Sequence, residues 1–346
     1  MRRKAKRWMN DGMVEGDRWL YRFSQFTAAA TLFLIFAGGL VTSTGSGLAV
    51  PDWPLSYGML FPPMVGGIFY EHGHRMVATF VGLLTVVLAI WIWKRERRRW
   101  LRYLGIGALA AVILQGILGG ITVLYLLPTP VSVTHACLAQ TFFCVMVSIA
   151  MFTSPEWHKF ESPIPGHVGL SLRRLAITTT AVIYIQLVLG AVMRHTQAGL
   201  AIPDFPLSFG SLVPPFSKLT VDPTVSFPLP LSTYKMRVLI HFLHRAWALV
   251  VSVSVVWLAG RILVRHQDMR QLVNPALVLL GLLVVQITLG ALVVWTERGV
   301  SVTTFHVAIG ASTLATSLVL TIRAWRVSVH NTSSEMPGKL SGETAT

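Results

Sequence analysis

Four histidines occur at matched positions in the two halves of this 346-residue chain. His74 and His135 are 61 residues apart, and His244 and His306 are 62 residues apart. All four lie within long apolar stretches, where an ionisable side chain is costly and therefore marks a candidate site. A hydrogen bond to a neighbouring carbonyl would explain one such histidine, but four in duplicated register point to a shared ligand.

The spacing divides these histidines into two pairs, His74 with His135 and His244 with His306. Two imidazoles that face each other inside a helical bundle can ligate both faces of a haem iron. Zinc fits less well, because four ligands would have to converge on one ion and no cysteine supports either pair. The sequence therefore predicts that all four histidines are axial ligands of haem iron.

Glu71 makes the two halves unequal. It lies three residues before His74, on the same helix face and about one turn nearer the surface. His241 occupies the equivalent place in the second half. A carboxylate at the edge of a haem pocket can exchange protons or stabilise a cationic intermediate. We predict that Glu71 is catalytic, and the alternative is an acidic helix start favoured by the helix dipole.

Two arginines follow the predicted ligands directly. Arg75 and Arg245 suit bidentate binding of carboxylates, so haem propionates are their predicted partners. Snorkelling to lipid headgroups is the alternative.

The loop segments 51–54 and 203–206 are rigid and amphipathic, and we interpret them as lids over the two pockets. The alternative is that their aromatic side chains anchor the membrane interface.

The other histidines carry weaker signals. His72 is two residues from His74, so the two side chains point to different helix faces, and the second half has no histidine at the matching place. His195 ends an apolar run, where an interfacial position is expected. We place neither residue in the predicted site.

The composition excludes an ordinary soluble enzyme, since 53% of the residues are hydrophobic and only 12% are charged. Eight apolar runs of about 20 residues are long enough to cross a bilayer, and such runs can only be helices. The predicted fold is therefore an all-α integral membrane protein. The runs are Ser24–Ser43, Gly73–Trp93, Tyr103–Tyr125, Val131–Met151, Leu175–His195, Val238–Gly260, Leu272–Trp295 and Ser301–Thr321.

The formal charge of +15 reflects topology rather than nucleic-acid binding, because the basic residues cluster between the apolar runs. Of the 29 lysines and arginines, 22 fall in segments on the same side of the predicted membrane. This bias predicts a multi-pass protein of the cytoplasmic membrane with both termini in the cytoplasm. No short apolar core or cleavage site precedes the first run, which indicates a retained tail.

An internal duplication organises the chain. The segment GLAVPDWPLSYG from Gly47 matches GLAIPDFPLSFG from Gly199, and Gln115 and Gln286 each precede a pair histidine by 20 residues. Each half has four helices, so the repeat is parallel and predicts two pseudo-symmetric four-helix bundles. The predicted organisation is a cytoplasmic tail (1–23), an N-terminal bundle (24–152), a cytoplasmic linker (153–174), a C-terminal bundle (175–326) and a disordered cytoplasmic tail (327–346).

Taken together, these residues resemble the haem A synthase family. The segment from Glu71 to Arg75 looks like the family motif Glu-x-x-His-Arg. The likeness extends from Arg22 to Arg326 and also rests on TGSGLAVPDWPLSYG from Thr44, on HFLHR from His241, and on His135 and His306.

The resemblance implies oxidation of the C8 methyl group of haem O to the formyl group of haem A, by successive hydroxylations and loss of water. The N-terminal half would hold the substrate haem between His74 and His135, with Glu71 catalytic. The C-terminal half would hold a haem b between His244 and His306, which relays electrons. A haem O synthase would supply the substrate and a haem-copper oxidase would receive the product, whereas the resemblance leaves the electron donor open.

One loop departs from the family pattern. Many bacterial members carry two cysteines around the Pro-Asp-Trp-Pro segment, and this chain has Val50 and Ser56 there. A loop disulfide is therefore impossible, and no electron-delivery role for one can be transferred.

Two other classes of function remain open at this point. The first is a di-haem b-type membrane cytochrome that transfers electrons without a substrate of its own. The second is a transporter with internal repeats, whose site would lie near the midplane on broken helices. The transporter is less favoured, because the polar residues gather near the outer rim.

Overall fold

Helices make up the regular structure of the part of the chain described by this computed structural model, residues 2–159, 170–221 and 230–334. Side chains are described for residues 18–157, 171–221 and 230–326. The helices in this part are α1 (Arg2–Ser43), α2 (Gly66–Arg95), α3 (Arg99–Leu124), α4 (Thr129–Phe152), α5 (Pro155–Lys159), α6 (Leu170–His195), α7 (Leu231–Arg265), α8 (Arg270–Trp295) and α9 (Val300–Ser334).

Eight of these helices, all except α5, contain a stretch long and apolar enough to cross a membrane. In α1 this stretch is Arg18–Ser43, and in α9 it is Val300–Arg326. A helix bonds every backbone amide and carbonyl within its own segment, which a bilayer core requires. The predicted all-α membrane fold with eight spans is confirmed.

Several helices begin earlier than the hydropathy predicts. Helix α2 begins at Gly66 instead of Gly73, and α7 begins at Leu231 instead of Val238. Glu71 is consequently in the second turn of α2, so its interpretation as an acidic helix start is wrong. The error arises because hydropathy treats Glu71 and His241 as interfacial, whereas both side chains are buried and bonded within the protein.

Each half of the chain has its own packed core. Helices α1 to α4 contact one another in cyclic order around buried Leu88, Ile92 and Met146. Helices α6 to α9 do the same around buried Leu258 and Leu279. These contacts are those expected of two four-helix bundles, and their relation by an axis along the membrane normal stays an interpretation of the repeat.

The two halves meet along α1, α4, α6 and α9. The rings of Phe36 and Phe305 lie 5.2 Å apart across this seam. Beside them α1 presents Gly39, where an added Cβ would lie 3.3 Å from the Cγ2 of Thr304. Small residues permit close approach of helices in membranes, where apolar packing replaces the hydrophobic effect as the source of association.

The helices extend beyond the predicted bundle limits at both ends. Helix α1 begins at Arg2, within the predicted tail of residues 1–23, and α9 continues to Ser334. Residues 160–169 of the predicted linker and 335–346 of the predicted disordered tail lie outside the described residues.

The close approach at Gly39 predicts that the seam is sensitive to added volume. Gly39→Leu should lower the melting temperature of the detergent-solubilised protein, since overpacking costs about 1–3 kcal/mol. Gly82→Leu is the matched control, because a Cβ at Gly82 meets no other described atom within 4 Å. Equal melting temperatures for the two variants would contradict the close contact.

Candidate functional site

The four paired histidines project from equivalent helices of the two halves. His74 lies on α2 and His135 on α4, while His244 lies on α7 and His306 on α9. His74 and His135 are near enough for their charges to interact. The same is true of His244 and His306. The structure thus brings together the two pairs that the sequence predicts.

Each histidine ring packs against a glycine of the preceding membrane-spanning helix. The absence of a side chain lets the ring approach the neighbouring backbone, and a Cβ at that glycine would lie within ordinary or tight contact of the imidazole Cε1. The pairs and these distances are Gly38 with His74 (3.1 Å), Gly119 with His135 (3.5 Å), Gly190 with His244 (3.2 Å) and Gly290 with His306 (3.2 Å).

Three of the rings carry an unsatisfied nitrogen. Among the described residues, the Nδ1 atoms of His74, His135 and His306 are buried and have no hydrogen-bond partner. Leaving a buried polar atom without a partner costs about 1–3 kcal/mol. Imidazole nitrogens are the usual protein ligands of haem iron. Imidazoles with unmet bonding capacity thus occur at both pairs and fit haem as the occupant of both sites.

Three glutamine amides also lie against these histidines. Gln115 donates from Nε2 to the His135 carbonyl oxygen at 3.0 Å. Gln286 Nε2 lies 3.3 Å from the Nε2 of His306. The sequence comparison matches Gln115 with Gln286 but gives no indication that their amides touch the histidines, since that contact depends on how neighbouring helices pack.

Glu71 joins the loop between α1 and α2 to helix α2. Its Oε2 accepts a hydrogen bond from the backbone N–H of Val50 at 2.8 Å. Its Oε1 accepts one from Nη2 of Arg75 at 2.7 Å. With 4% of its surface exposed, Glu71 is a buried carboxylate held in one position by two donors.

His241 makes the equivalent attachments in the second half. Its Nδ1 lies 3.2 Å from the backbone N of Ile202, and its Nε2 lies 3.0 Å from Nε of Arg245. A neutral imidazole has one acceptor nitrogen, so His241 can accept only one of these two hydrogen bonds, whereas Glu71 accepts both of its own. His241 therefore takes the same place against the loop and the arginine with one acceptor fewer.

The two arginines bind the loop backbone. Nη1 of Arg75 donates to the carbonyl oxygens of Asp52 and Leu55, each at 2.7 Å. Nη1 of Arg245 donates to the carbonyl oxygens of Asp204 and Leu207, at 2.7 and 3.0 Å. Most guanidinium donors are thereby directed at the loops, and propionate binding by Arg75 and Arg245 stays a prediction.

An aspartate closes each loop on itself. Asp52 accepts hydrogen bonds from the backbone N–H groups of Tyr57 and Gly58, at 2.7 and 2.8 Å. Asp204 accepts equivalent bonds at 2.7 and 2.8 Å. The hydrogen bonds from Gly58 and Tyr57 hold the pKa of Asp52 below its usual 3.8.

The first loop also contacts α3, the helix that supports His135. The indole of Trp53 packs so closely on α3 that a Cβ at Gly120 would lie 2.8 Å from a Trp53 ring carbon. Gly120 is the neighbour of Gly119, which supports His135. The contact joins the loop to this helix, and the interpretation of the loop as a lid stays a prediction.

Two residues left out of the predicted site lie beside it. His72 is 6% exposed, and its Nδ1 lies 2.8 Å from the Oγ of Ser56. His195, on α6 of the second half, is near enough to His135 for their charges to interact. Periodicity along one helix cannot reveal either contact, because a loop supplies the first and the opposite half of the chain supplies the second.

The support of each histidine by a glycine predicts a local effect of added volume. Gly190→Leu should displace the ring of His244 and remove the haem of the second half, while the haem of the first half remains. Gly281→Leu is the control, since a Cβ there meets no other described atom within 4 Å. Haem per chain, measured as the pyridine haemochrome, should fall to about half in the first variant only. Equal haem contents would contradict the predicted role of Gly190.

The closure of the first loop by Asp52 predicts how that loop responds to substitution and to pH. Because its pKa is lowered on folding, the stabilisation by Asp52 is present above pH 3.8 and is lost only as the pH falls below that value. Asp52→Asn should therefore speed hydrogen–deuterium exchange of the Tyr57–Gly58 amides at pH 7, and the exposed control Asp268→Asn should leave it unchanged. Unchanged exchange in Asp52→Asn would contradict this account of the loop.

Comparison with known proteins gives a family for this arrangement. The COX15-CtaA family, described as cytochrome oxidase assembly protein, matches residues 65–318. A heme A synthase of Halalkalibacterium halodurans is 28% identical over 304 residues, which cover 86% of this chain and 93% of that protein. One of Symbiobacterium thermophilum is 30% identical over 278 residues, covering 76% and 82%. One of Bacillus licheniformis is 31% identical over 185 residues, covering 52% and 60%. Since the family match spans most of the sequence, the chain belongs to the COX15-CtaA family of cytochrome oxidase assembly proteins.

Proposed function

We propose that this protein is a haem A synthase, which oxidises the C8 methyl group of haem O to the formyl group of haem A by successive hydroxylations and loss of water. One observation carries the proposal. The two histidine pairs have the same helical setting, and among the described residues only the first pair is accompanied by a buried carboxylate, Glu71. Relatives named heme A synthase that align with most of the chain support this reading.

The two pairs take different roles in this proposal. His74 and His135 hold the substrate haem, while His244 and His306 hold a haem b. When bound, the haem b supplies one-electron transfer to the first half. The glycines behind the rings let the neighbouring helix backbones lie close to each imidazole. Each ring is thereby held in one position, from which its pair would bind a haem within the bundle.

Glu71 supplies a negative charge in a site from which water is largely excluded. Its two hydrogen bonds, from Val50 and Arg75, fix the carboxylate one turn from His74 before any reaction begins. A group fixed in this way can stabilise a developing positive charge or accept a proton without reorganising. His241 occupies the equivalent place without a negative charge, which suits a site that only holds a cofactor.

The setting of the protein follows from the same proposal. The multi-pass chain lies in the cytoplasmic membrane with both termini in the cytoplasm, as the positive charges predict. A haem O synthase supplies the substrate and a haem-copper oxidase receives the product. Arg75 and Arg245 hold the two outer loops over the pockets, where they limit entry of water from the outer side.

A di-haem electron-transfer cytochrome is the second candidate. The observation that favours it is the equivalence of the two sites, since both have paired histidines, glycine supports and a loop fastened by an arginine. In that case the protein would retain both haems, and the role of Glu71 would be only to bind the loop. The two candidates differ in whether the protein changes a porphyrin.

The test is the production of haem A in a host that makes haem O and lacks its own haem A synthase. The protein should convert haem O to haem A, as seen by extraction, chromatography and mass spectrometry. Glu71→Gln should bind haem but lower the conversion by about 100-fold or more, the usual contribution of acid–base groups. Glu156→Gln, on the short helix α5, should convert haem O like the unmodified protein.

A second variant separates chemistry from loop fastening. His241→Gln loosens the equivalent loop in the second half, so its conversion measures the cost of a loosened loop without loss of a carboxylate. Glu71→Gln should lower the conversion much more than His241→Gln does. Equal conversions in Glu71→Gln and in the unmodified protein would contradict a catalytic role for Glu71, and haem b alone at both sites would favour the cytochrome.

A further inference from the structure

The glycine behind each histidine belongs to a longer pattern. One turn before three of these glycines stands a glutamine, in Gln115-Gly-Ile-Leu-Gly119, Gln186-Leu-Val-Leu-Gly190 and Gln286-Ile-Thr-Leu-Gly290. The fourth segment is Leu34-Ile-Phe-Ala-Gly38. Residues four apart on a helix share a face, so each of these side chains is directed toward the same histidine as its glycine. Leu34 occupies the equivalent place on α1, four residues before Gly38.

Gln186 makes the most extensive contact of the three glutamines. Its Nε2 donates to the carbonyl oxygen of His244 at 3.1 Å. The same atom lies 3.3 Å from both Nδ1 and Nε2 of the His244 ring. The amide nitrogen of Gln186 therefore holds the His244 backbone and lies against the edge of its ring.

The glutamine amides retain unused bonding capacity. Within the described residues, the Oε1 atoms of Gln115, Gln186 and Gln286 are buried without a hydrogen-bond partner. An amide oxygen accepts from an imidazole N–H, which is the bond that a metal-bound histidine usually makes with its second nitrogen. Each glutamine thus has an unpartnered acceptor in the same amide whose Nε2 makes the observed contact with the histidine.

Leu34 brings no such group to the first site. It is a partly buried apolar residue that packs against the core of α1 to α4. His74 is therefore supported by the Gly38 backbone but not by an amide. The first pair has one glutamine, Gln115, and the second pair has two, Gln186 and Gln286.

We propose that Gln186 is a positioning residue that makes the haem of the second pair permanent, and that Leu34, at the equivalent place, makes the first pair the site that exchanges its haem. The physical reason is that removing an outer-shell partner of a metal ligand weakens the metal site by about 10–100-fold. A synthase needs one site that releases its product and one that keeps its cofactor. This inference rests on the proposed function and explains, from the residues of the chain, which half exchanges its haem and which half keeps it.

A purely structural role for Gln186 makes different predictions. A hydrogen bond between helices in a membrane stabilises the fold modestly, so its loss would lower the melting temperature of the protein. It would not change the electronic state of the haem iron or the rate at which haem leaves one particular site. The test therefore measures both of these properties.

The experiment uses the purified full-length protein loaded with haem, and apomyoglobin as the acceptor of released haem. Gln186→Leu gives the second pair the leucine that the first pair has at this position. Leu34→Gln gives the first pair the glutamine of the second. Gln140→Leu is the matched control, because Gln140 is also a buried glutamine with an unpartnered Oε1 among the described atoms, and no described hydrogen bond joins it to the four histidines. Extraction and mass spectrometry identify each released porphyrin.

Gln186→Leu should release haem b about 10-fold faster than the unmodified protein and shift the electron paramagnetic resonance signal of that haem. Leu34→Gln should slow release from the first pair by a similar factor, and Gln140→Leu should change neither rate. If Gln186→Leu proves unstable, Leu34→Gln still decides the question, since it adds an amide rather than removing one.

The outcomes separate this inference from the proposed function. If haem b leaves Gln186→Leu at the unmodified rate with an unchanged resonance signal, or if Leu34→Gln releases haem at the unmodified rate, the inference is overturned while conversion of haem O still stands. If the unmodified protein binds no haem, both proposals fail.

Discussion

The two predicted haem sites depend on the burial of imidazole nitrogens inside an apolar bundle. A polar atom removed from water must find another partner, and in the described part of the chain three Nδ1 atoms, those of His74, His135 and His306, find none. Their rings are brought close to neighbouring backbones by glycines. An unpartnered buried nitrogen of this kind costs free energy, and a metal ion bound at that nitrogen would remove the cost.

The two halves of the chain have the same kinds of residue where these hold the loops in place. They differ at the positions that are candidates for a chemical role. Both outer loops are closed by an aspartate and fastened by an arginine. Glu71 and His241 lie against the same two kinds of donor, a loop amide and an arginine. The exchange of carboxylate for imidazole replaces two acceptor oxygens by a ring with one acceptor nitrogen. Leu34 and Gln186 also occupy equivalent places, four residues before Gly38 and Gly190.

Much of this arrangement is predictable from the sequence, because it depends on hydropathy and on repetition. The eight spans and the pairing of His74 with His135 need only the lengths of apolar runs and the spacing of the repeat. The starts of α2 and α7 are not predictable in this way, since Glu71 and His241 look interfacial until their loop partners are known. The contact of Gln186 with His244 depends on the relative rotation of α6 and α7, which no local pattern encodes.

The most direct test of the central claim is the visible absorption spectrum of the detergent-purified, haem-loaded protein with each paired histidine replaced by alanine in turn. The account predicts that each of the four variants, His74→Ala, His135→Ala, His244→Ala and His306→Ala, loses or shifts the bands of one haem and keeps those of the other. Spectra identical to that of the unmodified protein, or a protein that stays colourless when supplied with haem, would contradict it.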